Sequence, residues 1–209
     1  MPNNKSEKKL LTTHYSLPTK SGFTMVELMV TISIMVIIST VLLFNHSRFG
    51  NNITLEDLSY QVALTIRQAQ SYGMNVKGSG AGAGDFDYAY GVHFDNTTPA
   101  NSQSFILFVD STADGVYNGP SEYLDTYNIT QGNFIEWLCV DAQCSNPETA
   151  SDGQVDITFR RPNPDALIRK SGVAGLRGMA EIYVSSSDSS LKKRVINVTN
   201  TGQISISVY

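Results

Sequence analysis

The sequence predicts an α+β protein in which a long, partly membrane-spanning helix packs on an antiparallel β-sheet domain. Three observations carry that expectation. Residues 28–44 form a seventeen-residue run without a charge, a little short of the ~20 apolar residues that span a bilayer. Beyond it, Leu55, Leu58, Val62, Ile66, Ala69 and Tyr72 recur at spacings of three and four, the apolar stripe of an amphipathic helix. From about residue 88 onward, short segments rich in aromatic and β-branched residues alternate with turn formers, which is the pattern of strands.

Taken in order, residues 1–22 are polar, contain Lys5, Lys8, Lys9 and Lys20, and show no apolar period. They read as an unstructured leader. A helix is expected over 23–76, with its membrane part at about 24–44 and its amphipathic part at about 53–73. Gly50, Asn51 and Asn52 are poor helix formers in a row, so a bend or loosening is expected there, and Gly73 is the expected stop. Residues 77–84 read Lys-Gly-Ser-Gly-Ala-Gly-Ala-Gly, a flexible linker by composition. No Gly-Lys-Ser/Thr ending follows and no strand precedes it, which excludes a nucleotide-binding loop. Residues 85–209 form the β-rich domain, with strands expected at 88–94, 104–110, 122–129, 134–140, 154–160, 179–184, 191–198 and 203–208. Residues 185–190 and Thr201-Gly202 are the turns joining the last three into hairpins. Val195, Asn197 and Thr199 alternate with Ile196 and Val198, as in a sheet with one wet face.

Basic residues precede the apolar run and few follow it closely, which fits a cytoplasmic start and an exported remainder from about residue 45. The two cysteines, Cys139 and Cys144, fall in that exported part, where disulfides persist. A small disulfide-closed loop is the reading, and two free thiols the alternative. Two cysteines without clustered histidines are too few for a four-ligand zinc site. Asp110, Thr112 and Asp114 offer oxygens at alternate positions, with Gly115 next, which resembles the start of a calcium loop. The twelfth position is Ser121, with Glu122 one place late, and no helix pattern flanks the segment. A polar hairpin turn is the other reading, since Asp and Gly form turns in any case. The histidines are His14, His46 and His93, and no nucleophile–base spacing accompanies them. No catalytic constellation is expected, and no cofactor other than that calcium ion.

The segment Gly22-Phe23-Thr24-Met25-Val26-Glu27-Leu28 resembles the N-terminus of type IV pilin-like precursors. An ordinary secretory signal is cut after its apolar core, whereas here the Gly-Phe junction lies before it. The resemblance implies cleavage between Gly22 and Phe23 by a membrane-embedded aspartyl prepilin peptidase and methylation of the new Phe23 amino terminus. It also implies that Glu27 is the assembly glutamate. Glu27 is the only charge from Phe23 to Phe44, and a charge near the bilayer centre costs ~2.5–3.5 kcal/mol on insertion scales. A plain membrane anchor gives no reason for that carboxylate. Removing 1–22 takes away four Lys and one Glu and leaves 11 basic against 18 acidic residues, formally −7.

A second resemblance lies further along. The segment from Val155 to Ala166, containing Phe159-Arg160-Arg161-Pro162-Asn163-Pro164-Asp165, is similar to the strand–Phe-x-Pro-x-Gly pattern of the GspH/FimT group of minor pilins. The segment from Arg194 to Ile204 is similar to that group's final hairpin, and Arg67–Tyr72 to its helix end. Asn163-Pro164-Asp165 stands where a simple Pro-Asp-Gly turn is usual, and Gly202-Gln203 where Gly-Arg is common. The implied protein is a non-enzymatic subunit of a type II secretion pseudopilus or type IV pilus, held in the inner membrane with its β-domain exported. Its partners would be the peptidase and other pilin or pseudopilin subunits, met through the helix. The alternative is a FimT-like subunit that binds DNA for uptake. Residues 151–209 hold eight basic and five acidic residues, and 23–150 hold three and 13. Lys192, Lys193 and Arg194 are the candidate contacts. Against DNA stand the pI of about 5.3, far from basic, the absence of aromatics interleaved in that triplet, and Gln203.

Overall fold

The computed structural model describes residues 22–75, 88–146, 153–188 and 191–209. The expected leader up to Ser21 and the glycine-rich stretch 77–84 lie outside the described residues. The chain divides into two units at Phe44/Asn45. Helix α1, Met25–Met74, supplies residues to both.

In the first unit the helix exposes its apolar side chains all round: Met25, Met29, Met35 and Leu43 are each at least 70% accessible. Met25–Leu43 has a mean hydropathy of 2.4, long and apolar enough to cross a membrane. Three of its hydroxyls are turned back on the backbone. Thr31, Ser33 and Thr40 donate to the carbonyls of Leu28, Met29 and Val36 at 2.9, 2.8 and 2.7 Å. Such local bonds satisfy polar groups that a hydrocarbon surrounding would leave unpaired.

The second unit is a β-structure built around the rest of α1. Its strands are β1 (Ala89–Asp95), β2 (Ser104–Asp110), β3 (Tyr123–Asn128), β4 (Asn133–Val140), β5 (Gln154–Phe159), β6 (Ala166–Lys170), β7 (Val173–Arg177), β8 (Met179–Ser186), β9 (Arg194–Thr199) and β10 (Ile204–Val208). They form one sheet in the order β3-β2-β1-β5-β6-β7 and another in the order β10-β9-β8-β4, with antiparallel pairing throughout. The expected stripe is the buried face of the helix: Leu55, Leu58, Val62, Ile66 and Ala69 are 0–5% accessible. They meet Phe94, Phe105 and Ile157 of the six-stranded sheet and Ile135, Ile182 and Ile196 of the four-stranded one in a single apolar core.

Two details differ from expectation. The helix runs through Gly50, Asn51 and Asn52 without a break, because the packed residues from Leu55 onward hold it against weak local propensity. Strands β6 and β7 were not expected. In β6 the charged Arg169 and Lys170 mask the alternation, yet Lys170 is 4% accessible and its Nζ donates to the Leu138 carbonyl at 2.8 Å. In β7 the period is broken at Gly175, whose φ is +83°.

The helix end sits tightly on β5. A Cβ on Gly73 would lie 2.3 Å from the Phe159 carbonyl oxygen, so glycine permits the approach and the helix closes one residue later, at Met74. Nearby, Gln70 Nε2 donates to the carbonyls of Pro164 and Gly202, both at 3.1 Å, and Arg67 reaches the Ile204 carbonyl at 3.4 Å. The helix end, the proline-containing loop and the last hairpin, far apart in sequence, are thus tied together. Gly202 has φ +78° and no room for a side chain beside Pro164.

Candidate functional site

The described part of the first unit opens with three non-helical residues, Gly22, Phe23 and Thr24. Thr24 precedes the helix as its N-cap. Its Oγ1 accepts the Glu27 N–H at 3.2 Å, and its carbonyl accepts the Leu28 N–H at 3.1 Å. Thr24-Met25-Val26-Glu27 has the order of a capping box, and a carboxylate in the first turn also complements the helix dipole. The Gly22-Phe23 bond therefore lies outside the helix, with Phe23 80% accessible. The sequence reading singled out Gly22, Phe23 and Glu27 but overlooked Thr24, although the Thr-x-x-Glu spacing was there to be read.

In the second unit, residues 111–121 fold over the outer face of the six-stranded sheet. Asp110 and Glu122, at either end, are 2% and 1% accessible, and the loop's donors converge on them. Asp110 Oδ1 accepts the Asp114 N–H at 3.2 Å and the Thr112 hydroxyl at 3.4 Å, and Oδ2 accepts the Gly115 N–H at 2.9 Å. Glu122 Oε1 accepts the N–H groups of Ser111 and Thr112 at 3.1 and 3.2 Å, and Oε2 that of Asn118 at 2.8 Å. Asp114 accepts from the Val116 N–H at 3.0 Å and the Asn118 amide at 3.0 Å. Burial pushes Asp110 above the ordinary carboxylate range, helped by the neighbouring Asp114 and Glu122 charges and opposed by the Gly115 and Asp114 N–H bonds. At Asp114 burial raises the carboxyl, but bonds from Asn118, Val116 and Thr112, with the Arg169 charge, together outweigh it and hold it below that range. The sequence brings Asp110, Thr112 and Asp114 together as a calcium loop would, and the structure shows their oxygens accepting from the loop itself.

Under the same loop, His93 Nδ1 lies 2.7 Å from Asp156 Oδ1, with both side chains under 10% accessible. The Tyr117 N–H donates to the same oxygen at 3.3 Å, and the Tyr117 ring is 5.0 Å from His93. Burial raises Asp156, against the bond to His93. No local motif announces a pair 63 residues apart.

The outer face of the four-stranded sheet is different. Cys139 and Cys144 form a disulfide with Cα atoms 5.2 Å apart, beside Tyr183, Val195 and Trp137. Trp137, Tyr183 and Tyr209 meet edge to face at centroid distances of 5.3–6.0 Å. Lys193 Nζ stands 3.3 Å from the Trp137 ring centroid and 3.0 Å from Glu136 Oε1. Arg194 is 3.8 Å from Glu56 Oε2, and Lys192 is exposed. Two of the three cations singled out in the sequence thus have carboxylate partners. The aromatics near Lys193 come from other strands, which is why the triplet itself gave no sign of them.

Residues 17–43 match the family described as Prokaryotic N-terminal methylation motif. Neither the curated proteins nor the solved structures give a match to the chain.

Proposed function

We propose that this chain is a minor pilin or pseudopilin, a non-enzymatic subunit of the GspH/FimT kind that packs into a short filament of a type II secretion system or type IV pilus. The observation that carries the reading is the methylation-motif match over 17–43 coinciding with an apolar helix over Met25–Leu43. In this reading prepilin peptidase cuts Gly22-Phe23, and the N-cap at Thr24 supports it by leaving the scissile bond in non-helical chain. Phe23 is then methylated. Glu27 pairs with the Phe23 ammonium of a neighbouring subunit, and two opposite charges together offset much of the desolvation that either alone would suffer. The helix leaves lipid for a bundle of like helices, and the exported β-rich unit decorates the filament.

The tie between helix end, proline loop and final hairpin supports the GspH/FimT assignment, since those are the segments whose sequences carry the resemblance. DNA capture is the weaker reading. Phosphate binding needs several free cations on one surface, whereas Lys193 and Arg194 face Glu136 and Glu56.

Processing is tested by the intact mass of the chain extracted from native membranes. A species beginning at N-methyl-Phe23 is expected. A mature form that retains Met1, or one cut beyond Phe44, overturns the reading.

A further inference from the structure

A groove of about 490 Å³ runs beside the second-unit part of α1, against the turn between β3 and β4. Its size is that of small-ligand sites, which span roughly 300–1,000 Å³. Its chemistry is unusual for a surface that carries so much charge elsewhere. Among the described residues, the one charged side chain in its lining is Asp57, and no Lys, Arg or His contributes. A phosphate, a carboxylate or a nucleic acid would find no counter-charge among them.

What the groove offers is amides beside an apolar face. The side-chain amides of Gln61, Asn128 and Gln131 are exposed in the lining and make no hydrogen bond among the described residues. The Tyr60 ring and Leu64 are 53% and 64% accessible. The opposite wall is fixed: Tyr127 stacks on Phe105 at 5.2 Å and 8°, and its hydroxyl donates to Gln68 at 3.3 Å.

A second, independent observation comes from Asn133, a lining residue only 4% accessible. Its Nδ2 reaches Thr54 Oγ1 at 3.4 Å, while its Oδ1 is buried with no partner. Buried amide oxygens without a partner are uncommon in folded proteins and call for an explanation. A donor arriving in the groove, met by a small turn of the Asn133 amide, supplies one.

We propose that this groove binds a neutral saccharide. Vicinal hydroxyls match side-chain amides, which donate and accept side by side. The C–H face of a pyranose ring covers the Tyr60 ring and Leu64, and a sugar hydroxyl or acetamido N–H donates to Asn133 Oδ1. Addition of a peptide strand fits less well, because the Thr126 N–H on neighbouring edge strand β3 is taken by Asp125 Oδ1 at 2.9 Å. The site does not depend on filament assembly, so its failure would leave the assembly reading untouched.

The test is an amide-resolved NMR titration of the full chain in a zwitterionic, non-glycosidic detergent, with the N-acetylglucosamine trimer and maltotriose as probes. Saturable shifts centred on residues 54–68 and 127–133 are expected with at least one trimer. Asn133 is built into the fold, so the exposed residues carry the mutational test. Tyr60→Ala should weaken binding by about tenfold, the scale of one aromatic contact. Gln131→Ala should weaken it by less, and Trp137→Ala, on the outer face of β4, should leave it unchanged. Absence of saturable shifts with both trimers at millimolar concentrations overturns the proposal. So does binding that Tyr60→Ala and Gln131→Ala leave intact, or shifts centred on Trp137.

Discussion

The two segments of α1 differ in polarity, the first without a charge from Leu28 to Phe44 and the second carrying Glu56, Asp57 and Arg67, and they use their apolar side chains in opposite ways. From Met25 to Leu43 the hydrophobic residues are exposed on every side, with Ile34 at 51% and Ile37 at 65%. From Leu55 to Ala69 one stripe is buried to 0–5%, while Tyr60 and Leu64 on other faces stay open. In the first segment nothing of the described chain packs on these side chains, so within the monomer they ask only for an apolar surrounding. The second needs shape, because each side chain fills a place in a close-packed interior. Only one of these segments should be sensitive to the loss of a methylene.

The sharpest way to break that contrast is a matched pair of truncations. Ile66→Ala removes a fully buried side chain facing both sheets, and large-to-small changes at such sites cost ~2–5 kcal/mol. Ile34→Ala should leave the β-rich unit's unfolding unchanged. Denaturant titration followed by the β-sheet circular dichroism signal reads both. Equal effects from the two substitutions would mean that the segments are not used differently.

A second contrast lies between the outer faces of the two sheets. Glu122→Ala strips the 111–121 loop of an acceptor for three backbone N–H groups. An unpaired donor costs ~1–3 kcal/mol when buried and less where water can reach it, as on these exposed residues. Amide exchange at Thr112 and Asn118 should accelerate, while the Ser111 N–H keeps the Val109 carbonyl at 3.0 Å. Added Ca²⁺ is expected to shift the wild-type Tm little, since the loop's carboxylates already have donors. Cys139→Ser, on the other face, opens a loop with a sequence separation of 5 and should cost about 2 kcal/mol by chain-entropy reasoning, without changing exchange at residues 111–121.

What could be read in advance follows the same division. The membrane run and the stripe from Leu55 to Tyr72 rest on periodicity and hydropathy, which are local, and so were legible. Strands β1–β5 and β8–β10 announced themselves through aromatic and β-branched runs. Strand β6 did not, because Lys170 reads as a surface residue until its Nζ is seen on the Leu138 carbonyl. The neutralisation of Lys193 and Arg194 by Glu136 and Glu56, the pairing of His93 with Asp156, and the orphaned Asn133 oxygen all join positions remote in sequence. They exist only once two sheets and a helix have been assembled.

The smallest expected effect is a pH dependence with two opposed contributions from strand ends of the six-stranded sheet. Asp110 is raised by burial above its ordinary 3.8, so the folded state holds that proton more tightly than the unfolded chain does. Its contribution to stability is complete below about 3.8 and is lost as pH rises through the folded value. Asp95 behaves in the opposite sense. Burial would raise it, but hydrogen bonds from Thr97, Gln154 and Asn101 outweigh that and hold it below 3.8. Its contribution is present above the ordinary value and is lost as pH falls through the folded one. Asp110→Asn removes the part that declines with pH, so between about pH 4 and 7 the variant's stability should rise more steeply, or fall less, than that of the wild type. Asp95→Asn should act at the acid end instead, flattening the loss of stability below about pH 4. Urea titrations of the three proteins across that range, compared as slopes rather than absolute stabilities, separate the charge effect from any packing cost of the substitutions. Parallel curves for Asp110→Asn and wild type would show that the buried Asp110 carboxylate is fully compensated by the N–H groups of Asp114 and Gly115.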